Sequence, residues 1–188
     1  MLLIQLTGLS GAGKTTIARK TQEQLASKQI RSEVVDGDDY RKTISRDLGF
    51  SKPNRMENIY RLGILSNLLA CNGIVTILSA INPYEEARQQ VCSYGSHVKT
   101  VWIDCSMETL YQRDPKGLYR KASLPDNHPE KINNLSGIND PYEPPASADL
   151  AIDTTLESPE QSSARLVSYI VAILEELKQN QYIHLLPA

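Results

Sequence analysis

The sequence lacks a strong excess of charge of either sign. Its 20 lysines and arginines nearly balance 22 aspartates and glutamates, which leaves a formal net charge of −2 at pH 7. Proteins that bind nucleic acid or a membrane surface typically have an excess of basic residues, and this composition has no such excess. With 40% hydrophobic and 22% charged residues, the composition is ordinary for a soluble globular protein. We expect no nucleic-acid partner and no membrane partner.

Cysteine is scarce, and signals for export or membrane insertion are missing. Cys71, Cys92 and Cys105 show neither paired nor metal-type spacing, and their apolar contexts predict reduced, buried thiols. The first residues, MLLIQL, lack the basic leader and longer apolar core of a signal peptide. No apolar run approaches the roughly 20 residues of a membrane span. We therefore expect a cytoplasmic protein.

Apolar, β-rich runs alternate with helical patterns, which predicts a parallel sheet with crossover helices on both faces. The length of 188 residues fits one domain, 1–188. Strands are expected at 2–6, 32–35, 74–78, 98–104 and 150–152. Helices are expected near 14–28, 53–72, 84–91 and 107–112, and a last helix follows a capping box from Ser158 to Gln161. In the second helix the expected apolar face consists of Met56, Ile59, Tyr60, Leu65, Leu68 and Leu69.

Residues 113–147 depart from this alternation. They contain six prolines and few regular apolar positions, and their first part places Arg113, Lys116, Arg120 and Lys121 close together. A loop this long in a compact domain is typically functional. A mobile basic segment suits a phosphoryl transferase, which must exclude water from its phosphate donor. A solvated surface loop is the alternative, and we favour a lid.

The segment Gly8-Leu9-Ser10-Gly11-Ala12-Gly13-Lys14-Thr15 matches the P-loop pattern G-x4-G-K-[ST] at every fixed position. A strand precedes it and a helix follows, which is the context that distinguishes the motif from an ordinary turn. Backbone N–H groups and the helix N-terminus would hold phosphates there. Lys14 would bridge the β- and γ-phosphates, and the Thr15 hydroxyl would bind Mg²⁺. The sequence thus predicts an α/β, P-loop NTPase-type three-layer fold with a central parallel five-stranded sheet and a lid.

Two further carboxylates, Asp36 and Asp38, follow the second expected strand at the edge where open α/β sheets place their ligands. A carboxylate there could orient Mg²⁺ or take a proton from an attacking hydroxyl. Asp-Gly is also ordinary turn chemistry, and both interpretations can hold together. The residues alone leave the two roles unassigned between Asp36 and Asp38.

Several arginines and one aromatic side chain follow. Among Arg41, Arg46, Arg55 and Arg61, one or two could grip an anionic acceptor, while the others would be solvated. Phe50 is the only phenylalanine, and it could stack on a nucleobase or sit at the edge of the core.

Taken in order, the segments GLSGAGKTT, DGDDYR, DLGFS, NRMENIYR, RDPKGLYRKA and DPYEPP resemble the adenylylsulfate kinase family. Any P-loop kinase could have the first segment, whereas the other five in this order are specific. The resemblance runs from the P-loop to about Asp153. It implies ATP- and Mg²⁺-dependent phosphorylation of the 3′-hydroxyl of adenosine 5′-phosphosulfate, in sulfate assimilation, by a kinase that is commonly a homodimer.

The resemblance also implies roles for individual residues. Lys14, Asp36 and Asp38 would be catalytic, and Thr15 and Asp36 would hold the metal. The residues expected to bind ATP are Ser10, Gly11, Ala12, Gly13, Lys14, Thr15, Thr16 and Arg113. The residues expected to bind the acceptor are Asp36, Gly37, Asp38, Asp39, Arg41, Phe50, Arg55, Asn58, Ile81, Asn82, Lys116 and Leu135. In this interpretation Phe50 stacks on the adenine and Arg55 contacts the anionic groups.

The chain departs from the family pattern on the acceptor side. Asn82 stands where the family usually has a serine, so a phosphoserine intermediate is excluded there and direct transfer is expected. In the lid the family usually reads I-K-x-F-T-G-I-D, whereas this chain has Asn133, Leu135 and Asn139 at the lysine, phenylalanine and aspartate positions. Residues 123–131 also exceed the usual link. Losing a stacked ring costs ~1–3 kcal/mol per base.

Three functions remain open at this point. Leu135 could still cap the adenine, which would leave an adenylylsulfate kinase. The site could instead be retuned to another nucleotide-linked acceptor, or the chain could be an ATP-binding module without catalysis. The intact P-loop and aspartates favour the first function.

Overall fold

A five-stranded, entirely parallel sheet organises the protein. The structure, a computed structural model, describes residues 2–95 and 97–183, without the side chains of 181–183. The strands are β1 (Leu3–Thr7), β2 (Ser32–Asp36), β3 (Val75–Ser79), β4 (Val98–Asp104) and β5 (Leu150–Asp153). Their order across the sheet is β2-β3-β1-β4-β5, so β1 lies at the centre. All five expected strands are confirmed, with ends that shift by no more than one residue.

Seven helices connect or flank these strands in the described residues. They are α1 (Lys14–Ser27), α2 (Gly37–Tyr40), α3 (Lys52–Cys71), α4 (Glu85–Cys92), α5 (Met107–Arg113), α6 (Leu118–Ala122) and α7 (Pro159–Ile183). The five expected helices are confirmed. The short helices α2 and α6 were not predicted, because four or five residues are too few to show a helical period.

Alternate side chains of β1 divide the core into two layers, as the period of two along a strand requires. Leu2, Ile4 and Leu6 face one layer, which also contains apolar residues of α1, α5, α6 and α7. Leu3 faces the other layer, which is built with α3 and α4. The expected three-layer α/β fold is therefore confirmed.

The apolar face predicted for α3 was partly wrong. Leu68 is 59% exposed, whereas the buried face includes the polar residues Arg55, Asn58 and Ser66. This helix borders the cleft described below, so polar side chains replace apolar ones near its N-terminal end. The expectation of buried thiols was wrong for Cys71 and Cys92, which are exposed, and right for Cys105.

The capping box of α7 is confirmed. The Ser158 hydroxyl accepts a hydrogen bond from the Gln161 N–H at 3.2 Å, and the Gln161 side chain accepts one from the Ser158 N–H at 2.9 Å. None of the helices in the described part of the chain is long and apolar enough to cross a membrane.

Candidate active site

The P-loop joins the central strand to α1 at the carboxyl edge of the sheet. Gly13 is the N-cap of α1 and has a φ of 98°, a left-handed conformation that a residue with a Cβ adopts only with strain. The first turn of α1 thereby faces the cleft with its unpaired N–H groups. The loop has the position and form expected of a phosphate cradle.

Lys14 lies inside this cradle rather than in solvent. Its Nζ donates hydrogen bonds to the carbonyl oxygens of Gly8 and Leu9, each at 2.8 Å. Burial lowers the pKa of Lys14 to about 8, and the Lys116 charge acts in the same direction, while Asp38 and Asp36 oppose the shift. The loop therefore concentrates a cation where phosphates would bind.

Asp36 is a buried anchor at the end of β2. Its Oδ2 accepts hydrogen bonds from the Thr15 hydroxyl at 2.7 Å and the Ser79 hydroxyl at 3.1 Å. Its Oδ1 accepts the N–H of Asp38 at 2.9 Å and so caps α2. The carboxylate thus ties the P-loop threonine to β2 and β3.

Asp38 has a different environment from Asp36. Its side chain is 62% exposed, and it forms an ion pair with Lys116, which lies in the segment 113–147 expected to form the lid. Among the neighbouring charges, Asp38 has the largest influence on the pKa of Lys14. Asp38 and Lys14 line the same cleft, and the Asp38 carboxylate is free of the anchoring bonds that hold Asp36.

The expected acceptor aromatic, Phe50, is half-exposed and flanked by two arginines. The guanidinium carbons of Arg41 and Arg55 lie 4.6 Å and 5.4 Å from its ring centroid. Burial and the nearby Arg55 charge lower the pKa of Arg41. These side chains form an exposed ring surface with a cationic rim, which suits a nucleobase carrying an anionic group.

Arg55 also connects α3 to the lid. Its Nε donates to the Phe50 carbonyl at 2.9 Å and lies 3.2 Å from Asp140 Oδ2, and its other end donates to the Asn134 carbonyl. One turn later, Asn58 is buried with a side-chain oxygen that has no hydrogen-bond partner among the described residues. A buried amide of this kind is a ready contact for a polar ligand.

The lid residues 132–140 form a compact, internally bonded turn. Asn139 accepts the Leu135 N–H at 2.7 Å and donates to the Ile132 carbonyl at 2.8 Å. Gly137 has a φ of 86°, and a Cβ there would lie 2.5 Å from Leu9 of the P-loop. Leu135 is only 5% exposed; it belongs to the core and also borders the cleft. The turn therefore packs directly on the phosphate loop.

Asn82, which replaces the family's usual serine, has an internal role. It has a φ of 45°, a left-handed conformation that asparagine tolerates better than most residues. Its side-chain nitrogen donates to Gln5 at 3.1 Å, and its side chain is buried. Beside it, the Ile81 carbonyl accepts the Gly8 N–H at 3.2 Å, which joins this segment to the P-loop.

Three expected site residues lie at the margin. Arg113 binds Thr154 on the other side of the P-loop, with its guanidinium 3.2 Å from the threonine hydroxyl. Asp39 is exposed and pairs with Arg19 at 3.2 Å and Lys42 at 3.4 Å. Gly37 lies close against Ala80, where a Cβ would stand 3.2 Å from the alanine Cβ.

All the expected site residues except Ala12, which is fully buried, and Arg113 line one cleft of about 830 Å³, a volume suited to nucleotide-sized ligands. Five parts of the chain line it: the P-loop, the segment after β2, the start of α3, the segment after β3, and the lid. The expected site residues among its lining are Ser10, Gly11, Gly13, Lys14, Thr15, Thr16, Asp36, Gly37, Asp38, Asp39, Arg41, Phe50, Arg55, Asn58, Ile81, Asn82, Lys116 and Leu135.

The oxygen ligands fit Mg²⁺ held jointly with a nucleotide. Thr15 and Asp36 supply a hydroxyl and a carboxylate at the base of the cleft, and Mg²⁺ prefers such hard donors. Within residues 2–95 and 97–183, no three histidine, cysteine, aspartate or glutamate residues cluster to hold a metal alone. Phosphate oxygens of the ligand would therefore have to complete the coordination.

Four contacts at this site were not foreseen from the sequence. Ser79 supports Asp36, Asp140 pairs with Arg55, and Tyr119 and Thr154 contact P-loop carbonyls. The sequence pointed only to the segments DPYEPP and RDPKGLYRKA, which contain Asp140 and Tyr119. It did not identify the residues that these two side chains contact.

Comparison with known proteins gives consistent matches. A family model described as adenylylsulphate kinase matches residues 1–153. The adenylyl-sulfate kinase of Halothermothrix orenii is 41% identical over 167 residues, covering 89% of this chain and 88% of that protein. That of Rippkaea orientalis is 41% identical over 174 residues, covering 93% and 91%. The Mycobacterium tuberculosis APS kinase CysC, solved in complex with AMPPNP and APS, matches with a TM-score of 0.83 and 33% identity over 90% of this chain and 96% of that one.

Proposed function

Because the chain belongs to the adenylylsulphate kinase family, we infer that the cleft binds ATP and adenosine 5′-phosphosulfate together. The protein is an ATP-dependent kinase that phosphorylates the 3′-hydroxyl of adenosine 5′-phosphosulfate and releases ADP. One observation supports the roles given to individual residues: the ion pair of Asp38 and Lys116 lies in the same cleft as Lys14 and the P-loop.

The donor side of the reaction belongs to the P-loop. Residues 10–16 would surround the ATP phosphates, and Lys14 would exchange the carbonyls of Gly8 and Leu9 for phosphate oxygens. Its positive charge would then stabilise the negative charge that develops on the moving phosphoryl group. Arg113, beside Thr154, would contact the nucleotide outside the main cleft.

The two aspartates take different roles. Asp36 is buried and accepts three hydrogen bonds, so it would orient Thr15 and the metal side of the site. When bound beside Thr15 and Asp36, Mg²⁺ would neutralise part of the phosphate charge. Asp38 is exposed, so its carboxylate would receive the hydrogen bond of the ribose 3′-hydroxyl and orient that oxygen for in-line attack.

The acceptor side lies beyond Asp38. Phe50 would stack on the adenine, Arg41 and Arg55 would face the anionic groups, and Asn58 would bond through its unpartnered oxygen. Leu135 would cover the opposite face of the base with an aliphatic surface. Lys116, which pairs with Asp38 in the free protein, would move to the phosphate in transit.

A coupled ADP-release assay tests the function. Adenosine 5′-phosphosulfate should outperform a panel of other nucleotide acceptors at equal concentration. Equal rates across the panel would indicate a retuned acceptor site. No ADP release with any acceptor, despite ATP binding, would indicate a binding module.

The division of roles has its own test. Asp38→Asn should lower kcat by roughly 100-fold while the KM for ATP stays nearly constant, because the lost group acts on the acceptor hydroxyl. Asp47→Asn, which removes a charge from an exposed ion pair with Arg61 outside the cleft, is the matched control and should retain most activity. Comparable losses in both variants would refute the role of Asp38.

The assembly and location are further expectations. Residues 113–147 serve as the lid of one kinase domain that spans 1–188, and the enzyme works in the cytoplasm.

We expect a homodimer, and Ile64 and Leu68 offer an exposed apolar strip, one turn apart on α3. Light scattering should give twice the mass of one chain; a mass equal to one chain would contradict the dimer.

A further inference from the structure

A tyrosine on the lid helix contacts the phosphate loop from behind. Tyr119 lies on α6 and is 1% exposed, and its hydroxyl donates a hydrogen bond to the Ser10 carbonyl at 2.7 Å. Burial raises the pKa of Tyr119 above its ordinary value, so the hydroxyl keeps its proton and remains a donor. The contact joins residues that are far apart in the sequence.

The planar geometry of the peptide unit turns this contact into a constraint on the cradle. In a trans peptide the carbonyl of one residue and the N–H of the next point in opposite directions. If Tyr119 holds the Ser10 carbonyl on the core side, the Gly11 N–H must point to the other side. Gly11 lines the cleft, and its core side already faces Pro115, Leu110 and Tyr119. The Gly11 N–H is thus aimed at the position of the phosphates.

A second anchor acts two residues later. The Thr154 hydroxyl lies 3.0 Å from the Ala12 carbonyl, and by the same geometry this contact turns the Gly13 N–H toward the cleft. The backbone N–H of Thr154 donates to the Asp104 carbonyl at 3.0 Å, which fixes Thr154 at the ends of β4 and β5 and leaves its hydroxyl proton for the Ala12 carbonyl. The hydroxyls of Tyr119 and Thr154, outside the loop, therefore set the directions of the Gly11 and Gly13 N–H groups inside it.

We propose that Tyr119 is a positioning residue for ATP: its hydroxyl fixes the Ser10–Gly11 peptide so that the Gly11 N–H binds a phosphate oxygen. The inference rests on the proposed function and deepens it, because Tyr119 lies three residues after Lys116, just inside α6. Asp114 accepts the N–H groups of Tyr119 and Arg120 at 3.1 Å and 3.0 Å and so starts α6 where the tyrosine reaches the loop. The lid helix and the phosphate cradle are thereby joined through the hydrogen bond of one side chain.

The test compares Tyr119→Phe with Tyr111→Phe in the full chain. Tyr111 is 45% exposed, and its ring centroid lies 5.1 Å from that of Tyr119, so its variant removes a neighbouring hydroxyl outside the contact. Calorimetry with ATP and with inorganic tripolyphosphate should show about tenfold weaker binding of both for Tyr119→Phe and wild-type binding for Tyr111→Phe. The KM for ATP should rise while the KM for adenosine 5′-phosphosulfate stays within twofold.

Other outcomes overturn the proposal. Unchanged tripolyphosphate binding in folded Tyr119→Phe would remove the role of the hydroxyl, and equal increases in both KM values would indicate a general structural defect. If the variant does not fold, NMR of the wild-type protein decides: tripolyphosphate should shift the Gly11 amide proton far more than that of Gly117, and equal shifts refute the proposal. Tripolyphosphate contains no acceptor, so this result is independent of which acceptor the enzyme uses.

Discussion

At the scale of single residues, Lys14 combines a buried position with a charge. It donates to two backbone carbonyls of the P-loop, which is expected to hold the phosphates. Lys14→Ala should lower kcat by at least about 100-fold, because it removes the charge that stabilises the transferring group. The fold should persist, since the change also removes a desolvated ammonium group.

Steady-state kinetics and urea unfolding together test this expectation. Lys20→Ala is the matched control, because Lys20 lies on the same helix and is partly exposed in an ion pair with Glu160. It should retain normal turnover. Near-normal turnover in Lys14→Ala would refute the catalytic role.

The pKa of Lys14 leads to a prediction on ATP affinity. Burial lowers it to about 8 in the free protein, so the side chain loses its proton as the pH rises through that value. Bound phosphates favour the charged ammonium and raise the pKa again. The contribution of Lys14 to ATP affinity should therefore be constant below pH 8 and decrease above it. Above pH 8, ATP binding should be accompanied by proton uptake.

Calorimetry at pH 8.5 in two buffers of different ionisation enthalpy measures that uptake directly. Wild-type protein should take up most of one proton, and Lys14→Met should take up almost none. Proton release by the wild-type protein would contradict the expected direction.

The sequence was sufficient for residues whose role depends on local spacing. The P-loop pattern located the cradle and Lys14 because the glycines, the lysine and the helix start are neighbours in the chain. It could not find that Arg55 bonds to the Asn134 carbonyl, since a backbone acceptor 79 positions away has no sequence signature. The exposure of Leu68 was missed for a related reason: a helical period indicates which residues share a face, but not what covers that face.

At the scale of elements, the lid turn depends on one asparagine. Asn139 both accepts from the Leu135 N–H and donates to the Ile132 carbonyl, a pairing for which the family's usual aspartate lacks the donor. Asn139→Ala should raise the KM for adenosine 5′-phosphosulfate several-fold and leave the KM for ATP nearly unchanged. Loosening the turn withdraws the cover from the acceptor side.

The neighbouring Asn133→Ala is the control for this variant, because Asn133 is exposed on the same turn. It should behave as the wild-type enzyme in both KM values. An Asn139→Ala enzyme with an unchanged acceptor KM would show that the turn does not contribute to acceptor binding.

The capping box predicts the stability of α7. Ser158→Ala should lower the free energy of unfolding by about 1 kcal/mol, because the Gln161 N–H loses its acceptor. Ser168→Ala, at an exposed position inside the same helix, should change it by no more than about 0.5 kcal/mol. Urea unfolding of both variants measures the difference, and equal effects would argue against the cap.

Long elements were predictable and short ones were not. The period of α7 and its cap are both visible in the sequence, so its start was found correctly. Helix α2 instead depends on Asp36 as its N-cap, and α6 depends on Asp114, which accepts two of its N–H groups. Such capped turns are fixed by one side chain each, and no period reveals them.

At the scale of the whole molecule, a buried arginine joins the acceptor edge to the end of the lid. Arg88 is 1% exposed; it donates to the Asn82 carbonyl at 2.8 Å, the Glu143 carbonyl at 2.7 Å and the Glu85 carboxylate. Arg88→Met should lower the free energy of unfolding by about 3–5 kcal/mol, because it leaves buried acceptors without a donor. Arg165→Met, at a half-exposed site on α7, should cost far less.

Urea unfolding followed by circular dichroism provides the comparison for this pair. If Arg88→Met were no less stable than Arg165→Met, the buried network would not contribute to global stability. The sequence did not indicate that Arg88 is buried or that it joins these segments. Its pattern around α4 is that of an ordinary charged helix, and the partners of Arg88 come from the segments after β3 and after the lid turn.

Asn82 and Gln5 form a buried pair whose two members depend on each other. Asn82 has a left-handed backbone conformation, and its side-chain nitrogen donates to Gln5 in the core. A substitution at one position therefore changes the environment of the other. Asn82→Ser alone would remove the side-chain N–H that Gln5 accepts and place a less tolerant residue in that conformation. The effects of substitutions at positions 5 and 82 on the free energy of unfolding should therefore not add, and a double-mutant cycle would measure their coupling.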